Sequence, residues 1–265
     1  MANLPSILLI GCGHMGHAML KGWLKKGLET SVIVHRHTLE LPSPHQHVQS
    51  IAEIPKAFKP KAIILAMKPA QAAEIIPSLA PWTKEAVILS VLGGRDLTWL
   101  KNQFGDHQPV VRVMPNTPSE LGLGMTSVVA DPTVTDQQKQ LADDLLHAVG
   151  EVAWLDSEKE MDVATAIAGC GPAYIFLLAE LLQKVGEEKG LSTELARLLA
   201  RQTVVGSAAL LGNSSQESEI LRKAVATPGG ITERAVNVLI DSKAWPDSLS
   251  KAIQAAADRS KEMAS

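Results

Sequence analysis

Short apolar runs alternate with helical segments over roughly the first 155 residues of the chain. The runs with the length and composition of β-strands are Ile7–Ile10, Ser31–His35, Ala62–Met67, Ala86–Leu92, Val110–Met114, Met125–Ala130 and Val152–Leu155. Strands separated by helices are typical of βαβ units, so this half is predicted to be an α/β domain with a largely parallel sheet. The third and fourth runs are apolar at consecutive positions, which indicates strands covered by helices on both faces.

The pattern changes after Asp156, where β-type runs stop and apolar residues recur at helical spacing. These residues are Leu177, Leu178, Leu181, Leu182 and Val185, followed beyond a break at Gly190 by Leu195, Leu198, Leu199 and Val205. We therefore predict two domains, residues 1–156 around the sheet and residues 157–265 with helices alone. Helices so rich in alanine and leucine need a partner for their apolar faces, so we expect a homodimer built on the second domain.

Composition and charge narrow the classes of partner. Hydrophobic residues make up 46% of the 265, which is enough for a sizeable core. The net charge is −3 and the cations are scattered, so nucleic acid is not an expected partner. The most apolar helical stretch, Ala173–Leu182, is interrupted by Glu180 and falls short of the about 20 residues that a membrane span needs. We predict a buried helix there and no membrane association.

The start of the chain and its cysteines indicate a cytoplasmic protein. Residues 1–5 lack the basic segment of a signal peptide, and the apolar run that follows is too short for a signal core. Cys12 and Cys170 are the two cysteines, too few for the disulfide framework of a secreted chain.

A glycine-rich turn at residues 11–16 (Gly-Cys-Gly-His-Met-Gly) directly follows the first strand and precedes an amphipathic segment, Ala18–Lys26. In that context the pattern indicates a dinucleotide site in a Rossmann-type, doubly wound sheet. Gly11 permits the tight turn, Gly13 lets the backbone approach a pyrophosphate, and Gly16 lets the helix pack on the strand. The alternative is a glycine-rich turn without a ligand.

The end of the second strand predicts which dinucleotide is bound. An NAD site usually has an acid there for the ribose 2′-hydroxyl, whereas this chain has His35-Arg36-His37. Because Arg36 can pair with a 2′-phosphate, we expect NADP(H), with NAD(H) as a second cofactor left open; a solvated loop arginine is the alternative. The histidines at 35, 37, 45 and 47 fit no zinc spacing, so we expect solvated imidazoles and no metal.

Two further segments follow predicted strands at the edge where ligands of parallel sheets bind. Residues 66–69 (Ala-Met-Lys-Pro) place Lys68 near a cofactor or substrate, and its alternative role is a capping or solvated lysine. Residues 112–118 hold Asn116 in a proline-bracketed turn, which could equally be structural.

Two breaks stand out in the helical half. Residues 168–174 interrupt a helical run at Gly171-Pro172. Residues 226–232 (Ala-Thr-Pro-Gly-Gly-Ile-Thr) precede a helix predicted to begin near Glu233, and they offer backbone and hydroxyl donors to a carboxylate. A helix N-cap explains the same residues, although a cap does not need the second glycine.

Taken in this order, the segments resemble the pyrroline-5-carboxylate reductase family essentially from end to end. The landmarks are Gly11–Gly16, Ala66–Pro69, Met114–Pro118, Met161–Tyr174 and Leu221–Leu239. The resemblance implies an N-terminal Rossmann domain, a C-terminal all-helical dimerisation domain, assembly as a dimer or a pentamer of dimers, and NAD(P)H-dependent reduction of 1-pyrroline-5-carboxylate to L-proline, the final step of proline biosynthesis.

The resemblance also implies roles for individual residues. Thr232 would be the catalytic hydroxyl beside the imine. The substrate would contact Thr227, Gly229, Gly230, Ile231, Thr232 and Asn116. The cofactor would contact Gly11, Gly13, His14, Met15, Gly16, His35, Arg36, Ser50, Ala66, Met67, Lys68, Pro69 and Asn116. The family commonly has Asn at position 14, Ser at 170 and 227, and Thr at 231, so this chain departs from the pattern at four places.

Three other functions remain open at this point. A β-hydroxyacid dehydrogenase would share the glycine turn and the helical domain, but it is expected to carry a catalytic lysine, and residues 163–174 contain none. The others are a different imine reductase and a non-catalytic NADP-binding sensor, for which the loop at residues 227–232 has no evident use.

Overall fold

The structure is a computed structural model that describes residues 4–264, with the side chain of residue 264 left out. Met1, Ala2 and Asn3, which entered the signal-peptide prediction, lie outside the described residues. The strands are β1 (Ile7–Ile10), β2 (Val32–Val34), β3 (Gln46–Val48), β4 (Ala62–Leu65), β5 (Val87–Ser90), β6 (Val110–Met114), β7 (Gly124–Ala130) and β8 (Gly150–Trp154).

These strands form one sheet in the order β3-β2-β1-β4-β5-β6-β7-β8. The strands from β3 to β6 are parallel, β7 is antiparallel to β6, and β8 is parallel to β7. The predicted α/β fold with a largely parallel, doubly wound sheet is confirmed, and all seven predicted strands are present, five of them with slightly different ends. Sequence reasoning missed β3, because two of its three residues, Gln46 and His47, are polar and none of the three is buried.

The helices are α1 (His14–Lys25), α2 (Pro69–Ile75), α3 (Ala80–Thr83), α4 (Leu97–Phe104), α5 (Asp136–His147), α6 (Met161–Ala164), α7 (Gly171–Glu188), α8 (Thr193–Gly212), α9 (Ser218–Val225), α10 (Ile231–Leu239) and α11 (Trp245–Ala264). Single 3₁₀ turns occupy Ile51–Glu53, Ile76–Leu79, Thr117–Leu121 and Glu158–Glu160. The absence of strands after Asp156, predicted from the helical spacing, holds throughout residues 157–264.

The central strands are buried on both faces. Along β1, Ile7 and Leu9 belong to one apolar cluster and Leu8 and Ile10 to the other, as the pleat requires. Trp23 of α1 is fully buried in the first cluster, and its indole N–H donates to the carbonyl oxygen of Leu145 at 2.7 Å. Helices therefore cover both faces, as the consecutive apolar residues predict.

The chain divides into two compact units. The first comprises the residues through Cys170 together with those from Ala256 onward, and the second comprises Gly171–Ala255. The end of α11 therefore belongs to the first unit: Ser260 donates to Asp162 at 2.6 Å, and a Cβ added to Gly94 would lie 2.8 Å from Met263 Cβ. The predicted domain boundary between residues 156 and 157 stays a prediction.

In the second unit, α7 and α8 form a helical hairpin around Gly190, which has φ +98°. A Cβ on Gly186 would lie 3.2 Å from Ala196 Cβ, so the two helices approach closely. The prediction that Ala173–Leu182 is buried is wrong for the single chain, since the side chains of Phe176 and Leu177 are 66% and 50% exposed. A hairpin covers one face of each helix and leaves the other uncovered.

The predicted break at residues 168–174 is reduced to the single turn residue Cys170, while Pro172 lies in the first turn of the next helix, α7, as predicted. A π-helical turn, Thr165–Gly169, joins α6 to α7, and the Cys170 N–H donates to the Thr165 carbonyl oxygen at 2.9 Å. The resulting helical run, Glu158–Glu188, is long and apolar enough to cross a membrane, judged by length and composition alone. Our prediction that the apolar stretch around Ala173–Leu182 is too short for a span is therefore wrong for the whole helical run. The absence of membrane association stays a prediction.

Candidate functional site

A cleft of about 450 Å³ opens at the carboxyl ends of β1, β2, β3 and β4. The strand order reverses between β1 and β4, and ligands of doubly wound sheets bind at such a switch point. The lining residues are Ile10, Gly11, Cys12, Gly13, Val34, His35, Arg36, Gln49, Ser50, Ile51, Ala66, Met67, Lys68, Gln71 and Ile75. Four separate sequence segments therefore meet at one edge of the sheet.

The glycine turn contacts the segment after β4 so closely that side chains are excluded. Gly11 has φ +89°, and a Cβ there would lie 2.7 Å from the Ala66 carbonyl oxygen and the Met67 nitrogen. A Cβ on Gly16 would lie 2.6 Å from the carbonyl oxygen of Gly11. These two glycines allow α1 to start directly above the sheet, where its N-terminus faces the cleft.

Gly13 differs from the other two, because a Cβ there would meet no atom within 4 Å. It is the N-cap of α1, it has no side-chain cap, and the first turn of the helix contains no acid. The first N–H groups of α1 are therefore free of a local carboxylate, beside a backbone that a ligand can approach. A diphosphate fits this arrangement, since helix N-termini favour anions.

The end of β2 carries a group of linked imidazoles. His35 Nδ1 accepts the Cys12 N–H at 3.3 Å, and His47 Nε2 lies 2.7 Å from the His35 carbonyl oxygen. Burial, followed by the charges of His37, His47 and Arg36, lowers the pKa of His35 below its usual 6.5. Our prediction of freely solvated imidazoles is therefore wrong for His35 and His47, which are partly buried and hydrogen-bonded, and for His45, which is partly buried.

Arg36 is exposed at the rim of the cleft. Its Nε donates to His37 Nε2 at 3.1 Å, which leaves the two terminal nitrogens for other partners. Within residues 4–264 no acidic side chain forms an ion pair with it. The same part of the chain contains no group of three His, Cys, Asp or Glu side chains arranged to hold a metal.

Ser50 lies in the cleft, two residues after the end of β3. Its hydroxyl donates to Glu53 Oε1 at 2.6 Å, and the Gln49 N–H donates to the other carboxylate oxygen at 3.2 Å. These hydrogen bonds lower the pKa of Glu53, so its carboxylate is ionised at neutral pH.

Some lining residues were not predicted. Gln49 and Ile51 follow β3, and they were not predicted because β3 itself was not predicted. Gln71 and Ile75 lie three and seven positions after Lys68, a helical spacing on α2 that could have revealed them. Cys12 is buried within the turn itself, and burial raises the pKa of its thiol to about 11.

Other predicted cofactor residues lie next to the cleft without lining it. His14 is exposed at the start of α1, Met15 packs against the core, Gly16 is buried against Gly11, and Pro69 is the first residue of α2. Their roles stay predictions.

Asn116 is buried behind β6 with both ends of its amide engaged. Its Nδ2 donates to the Ala168 carbonyl oxygen at 3.0 Å, and its Oδ1 accepts the Met125 N–H at 2.9 Å. These bonds connect the loop after β6 to β7 and to the π-helical turn. They supply a structural role for Asn116, and its predicted contacts with substrate and cofactor stay predictions.

In the second unit, the loop between α9 and α10 is a tight turn. Gly229 has φ +73°, and its N–H donates to Glu233 at 2.7 Å. The Gly230 N–H donates to the Thr227 carbonyl oxygen at 3.0 Å, and a Cβ on Gly230 would lie 2.9 Å from both oxygens of Thr227. The second glycine, which a cap does not require, is thus explained by its contact with Thr227.

Helix α10 begins at Ile231, two residues before the predicted start, with Gly230 as an N-cap that makes no side-chain bond. The side chain of Ile231 is 91% exposed, while Thr232 is half-buried in the first helical turn. The first N–H groups of an α-helix have no partner within the helix, so those of Ile231 and Thr232 are available to a ligand.

Comparison with known proteins extends over both halves of the chain. Residues 158–263 match the family described as pyrroline-5-carboxylate reductase dimerisation, and residues 6–94 match the family described as NADP oxidoreductase, coenzyme F420-dependent. The pyrroline-5-carboxylate reductase of Pseudomonas aeruginosa is 34% identical over 270 residues, which cover 99% of this chain and 98% of that protein.

Solved structures similar to this chain include members of the same family. A pyrroline-5-carboxylate reductase from Coxiella burnetii superposes with a TM-score of 0.90 at 32% identity, covering 99% of this chain and 100% of that one. The pyrroline carboxylate reductase of Plasmodium falciparum with NADP bound gives a TM-score of 0.83 at 28% identity, with full coverage of both chains. The chain therefore belongs to the pyrroline-5-carboxylate reductase family.

Proposed function

We propose that this protein reduces 1-pyrroline-5-carboxylate to L-proline with NADPH, the last step of proline biosynthesis. The observation that carries the proposal is the cleft at Gly13, where an uncapped helix N-terminus meets an arginine at the end of β2, in a chain similar to pyrroline-5-carboxylate reductases along its whole length. The proposal is strengthened by the relative of known structure that has NADP bound.

The residues of the cleft fit NADP(H) in distinct ways. The first N–H groups of α1 and the bare backbone of Gly13 hold the diphosphate. The free terminal nitrogens of Arg36 pair with the 2′-phosphate, for which a planar guanidinium is well suited. Lys68 adds a positive charge on the opposite wall. When bound, NADPH supplies the hydride.

The loop of residues 227–232 binds the substrate. Since the N–H groups of Gly229 and Gly230 are already used within the turn, the donors left for a carboxylate are the backbone N–H groups of Ile231 and Thr232 and the hydroxyl of Thr227. The carboxylate then lies at the positive end of the α10 dipole. Gly229 and Gly230, which we predicted to contact the substrate, then serve to shape the turn.

Positioning carries most of the catalysis. The Thr232 hydroxyl donates a hydrogen bond to the ring nitrogen and relays to it a proton from water, which makes the imine carbon a better hydride acceptor. One hydride adds to the imine carbon and one proton to the nitrogen, which gives the secondary amine of proline. No titratable side chain is assigned the role of a dedicated acid.

Self-association accounts for the apolar faces of the second unit. Its exposed large side chains include Phe176, Leu177, Leu198, Val205, Leu210 and Val238. We infer a homodimer that covers these faces, with a pentamer of dimers as the larger assembly and the cytoplasm as the location. A dimer also supports the interpretation of the apolar run 158–188 as an interface helix rather than a membrane span.

One assay separates this function from its alternatives. NADPH absorbance is followed with pyrroline-5-carboxylate, with a β-keto acid and with no substrate. We expect oxidation in the first arm only. Oxidation with the keto acid would support a hydroxyacid dehydrogenase, and cofactor binding without oxidation in any arm would support a non-catalytic sensor; either result would overturn the proposal.

A further inference from the structure

The part of the cleft between the ends of β2 and β3 contains a second group that can distinguish NADH from NADPH. Its preference is opposite to that of Arg36. Because β2 and β3 are parallel neighbours with Val34 opposite Val48, the residues that follow them lie side by side. Arg36 follows β2 and Ser50 follows β3, and both line the cleft. Each therefore borders the same region, and the two differ in hydrogen-bonding character.

Ser50 presents an acceptor rather than a donor. A hydroxyl has one proton, and that of Ser50 is given to Glu53 Oε1 at 2.6 Å. The Glu53 carboxylate is itself held in place by the Gln49 N–H at 3.2 Å. Because it is ionised, it cannot donate a hydrogen bond back to the Ser50 oxygen. Toward a ligand in the cleft, the Ser50 oxygen can therefore act only as a hydrogen-bond acceptor.

The two states of a ribose 2′ position respond oppositely to such an oxygen. A free 2′-hydroxyl can donate to it, whereas a 2′-phosphate dianion offers acceptors and meets both a lone pair and the negative charge of Glu53 close by. Arg36, with its terminal nitrogens free, has the opposite preference. The cleft therefore holds one group suited to each form of the cofactor.

We propose that Glu53 acts through Ser50 as the positioning residue that keeps this site open to NADH. The inference rests on the proposed function only in taking the cleft as the dinucleotide site. Without Glu53, the Ser50 hydroxyl is free to turn and donate to a phosphate, and the nearby negative charge is gone. A residue that merely capped the 3₁₀ turn would affect both cofactor forms equally.

The test measures binding rather than turnover. The probes are 5′-AMP and 2′,5′-adenosine diphosphate, which differ by the 2′-phosphate alone, followed by NADH and NADPH, all titrated calorimetrically into the full-length protein. For Glu53→Ala we expect the preference for the 2′-phosphorylated probe to rise about fivefold or more, which corresponds to about one hydrogen bond. Glu85→Ala is the matched control, since Glu85 is an exposed acid that precedes β5 at the opposite edge of the sheet.

Two further variants test the route and the fold. In the Ser50→Ala background, Glu53→Ala should change the preference less than about twofold, because the hydroxyl through which it acts is absent. Glu53→Gln should shift the preference in the same direction but less, since a single amide oxygen serves two donors. It also replaces the alanine variant if that one does not fold.

The outcomes separate the two proposals. Wild-type protein that binds neither dinucleotide contradicts the proposed function. Wild-type protein that binds both, with a preference unchanged by Glu53→Ala, overturns the present inference alone. An equal shift with and without Ser50 also overturns it, because Glu53 would then act as a bare charge.

Discussion

The side-chain amide of Asn116 donates to the carbonyl oxygen of Ala168 at 3.0 Å, across 52 positions of sequence. Ala168 belongs to the π-helical turn that joins α6 to α7, and turns of this kind are frequent at functional sites. The other end of the amide accepts the Met125 N–H. One buried side chain thus connects the segment after β6 to β7 and to the π-helical turn within the long helical run.

Asn116→Asp tests that bridge with little change of shape. It keeps the acceptor for Met125 but places a second acceptor against the Ala168 carbonyl oxygen. Because the site is buried, we expect the free energy of unfolding to fall by about 2–3 kcal/mol, measured by urea denaturation. If Asn116 has a structural role alone, the variant should bind NADPH within about twofold of wild type. A loss of affinity of about tenfold or more at unchanged stability would show that Asn116 contacts the cofactor directly.

Alanine at two glycines of the turn should have different effects. Gly11→Ala forces a Cβ into the Ala66-Met67 backbone at a positive φ, so we expect a loss of stability of about 2 kcal/mol or more. Gly13→Ala meets no atom of the protein, so it should fold normally and lose NADPH affinity by about tenfold or more, because its methyl group occupies the path of the diphosphate. Thermal unfolding and cofactor titration report the two effects separately, and a Gly13→Ala variant with normal affinity would contradict the placement of the diphosphate.

Arg36→Ala should weaken NADPH more than NADH. The loss of a charge-assisted pair with the 2′-phosphate costs about 1.5–3 kcal/mol, or about tenfold or more in the dissociation constant. Arg36→Lys, which keeps the charge but not the planar fork, should recover part of that loss. An equal loss for both cofactors would remove Arg36 from the recognition of the 2′-phosphate.

Thr232→Ala should lower kcat/KM for pyrroline-5-carboxylate by about tenfold or more through one lost hydrogen bond, with NADPH affinity nearly unchanged. Thr232→Ser, which keeps the hydroxyl, is the matched control and should retain most of the activity. Steady-state rates at saturating NADPH give both values, and equal rates for all three proteins would exclude Thr232 from the mechanism.

The lowered pKa of His35 predicts a pH-dependent loss of stability. Its pKa in the folded protein lies below 6.5, so the unfolded chain binds the proton more readily. The stability that the neutral imidazole contributes is present above pH 6.5 and is lost as the pH falls from 6.5 toward the folded pKa. Protonation also removes the acceptor for the Cys12 N–H.

The corresponding experiment compares wild type with His35→Gln by urea denaturation at pH 7.5 and at pH 5.5. We expect wild type to lose more stability than the variant over this interval, because glutamine does not titrate. The same loss in both proteins would assign the pH dependence to other groups.

Most of the sheet could be predicted, because buried strands such as β4 and β5 consist mainly of consecutive apolar residues. The glycine turn could be predicted because a backbone at φ +89° against Ala66 tolerates no side chain. Strand β3 could not, since its edge position leaves no apolar pattern in Gln46–Val48. The residues that β3 carries to the cleft, including Ser50 beside Glu53, had no signal of their own apart from the family resemblance.

Contacts between distant segments were also beyond sequence reasoning. Nothing in the local pattern pairs Asn116 with Ala168, because that hydrogen bond depends on where β6 and the π-helical turn meet in three dimensions. The burial of Ala173–Leu182 was overestimated for a different reason. An apolar helix face shows that something covers it, but it does not show whether the cover comes from the same chain.

The most direct test of the central claim is the stoichiometry of the reaction. Purified protein is incubated with limiting NADPH and excess pyrroline-5-carboxylate, and the proline formed is quantified by amino-acid analysis against the NADPH consumed. We predict one proline for each NADPH oxidised. Bound NADPH that stays reduced in the presence of pyrroline-5-carboxylate, or oxidation that yields no proline, would contradict the assigned reaction.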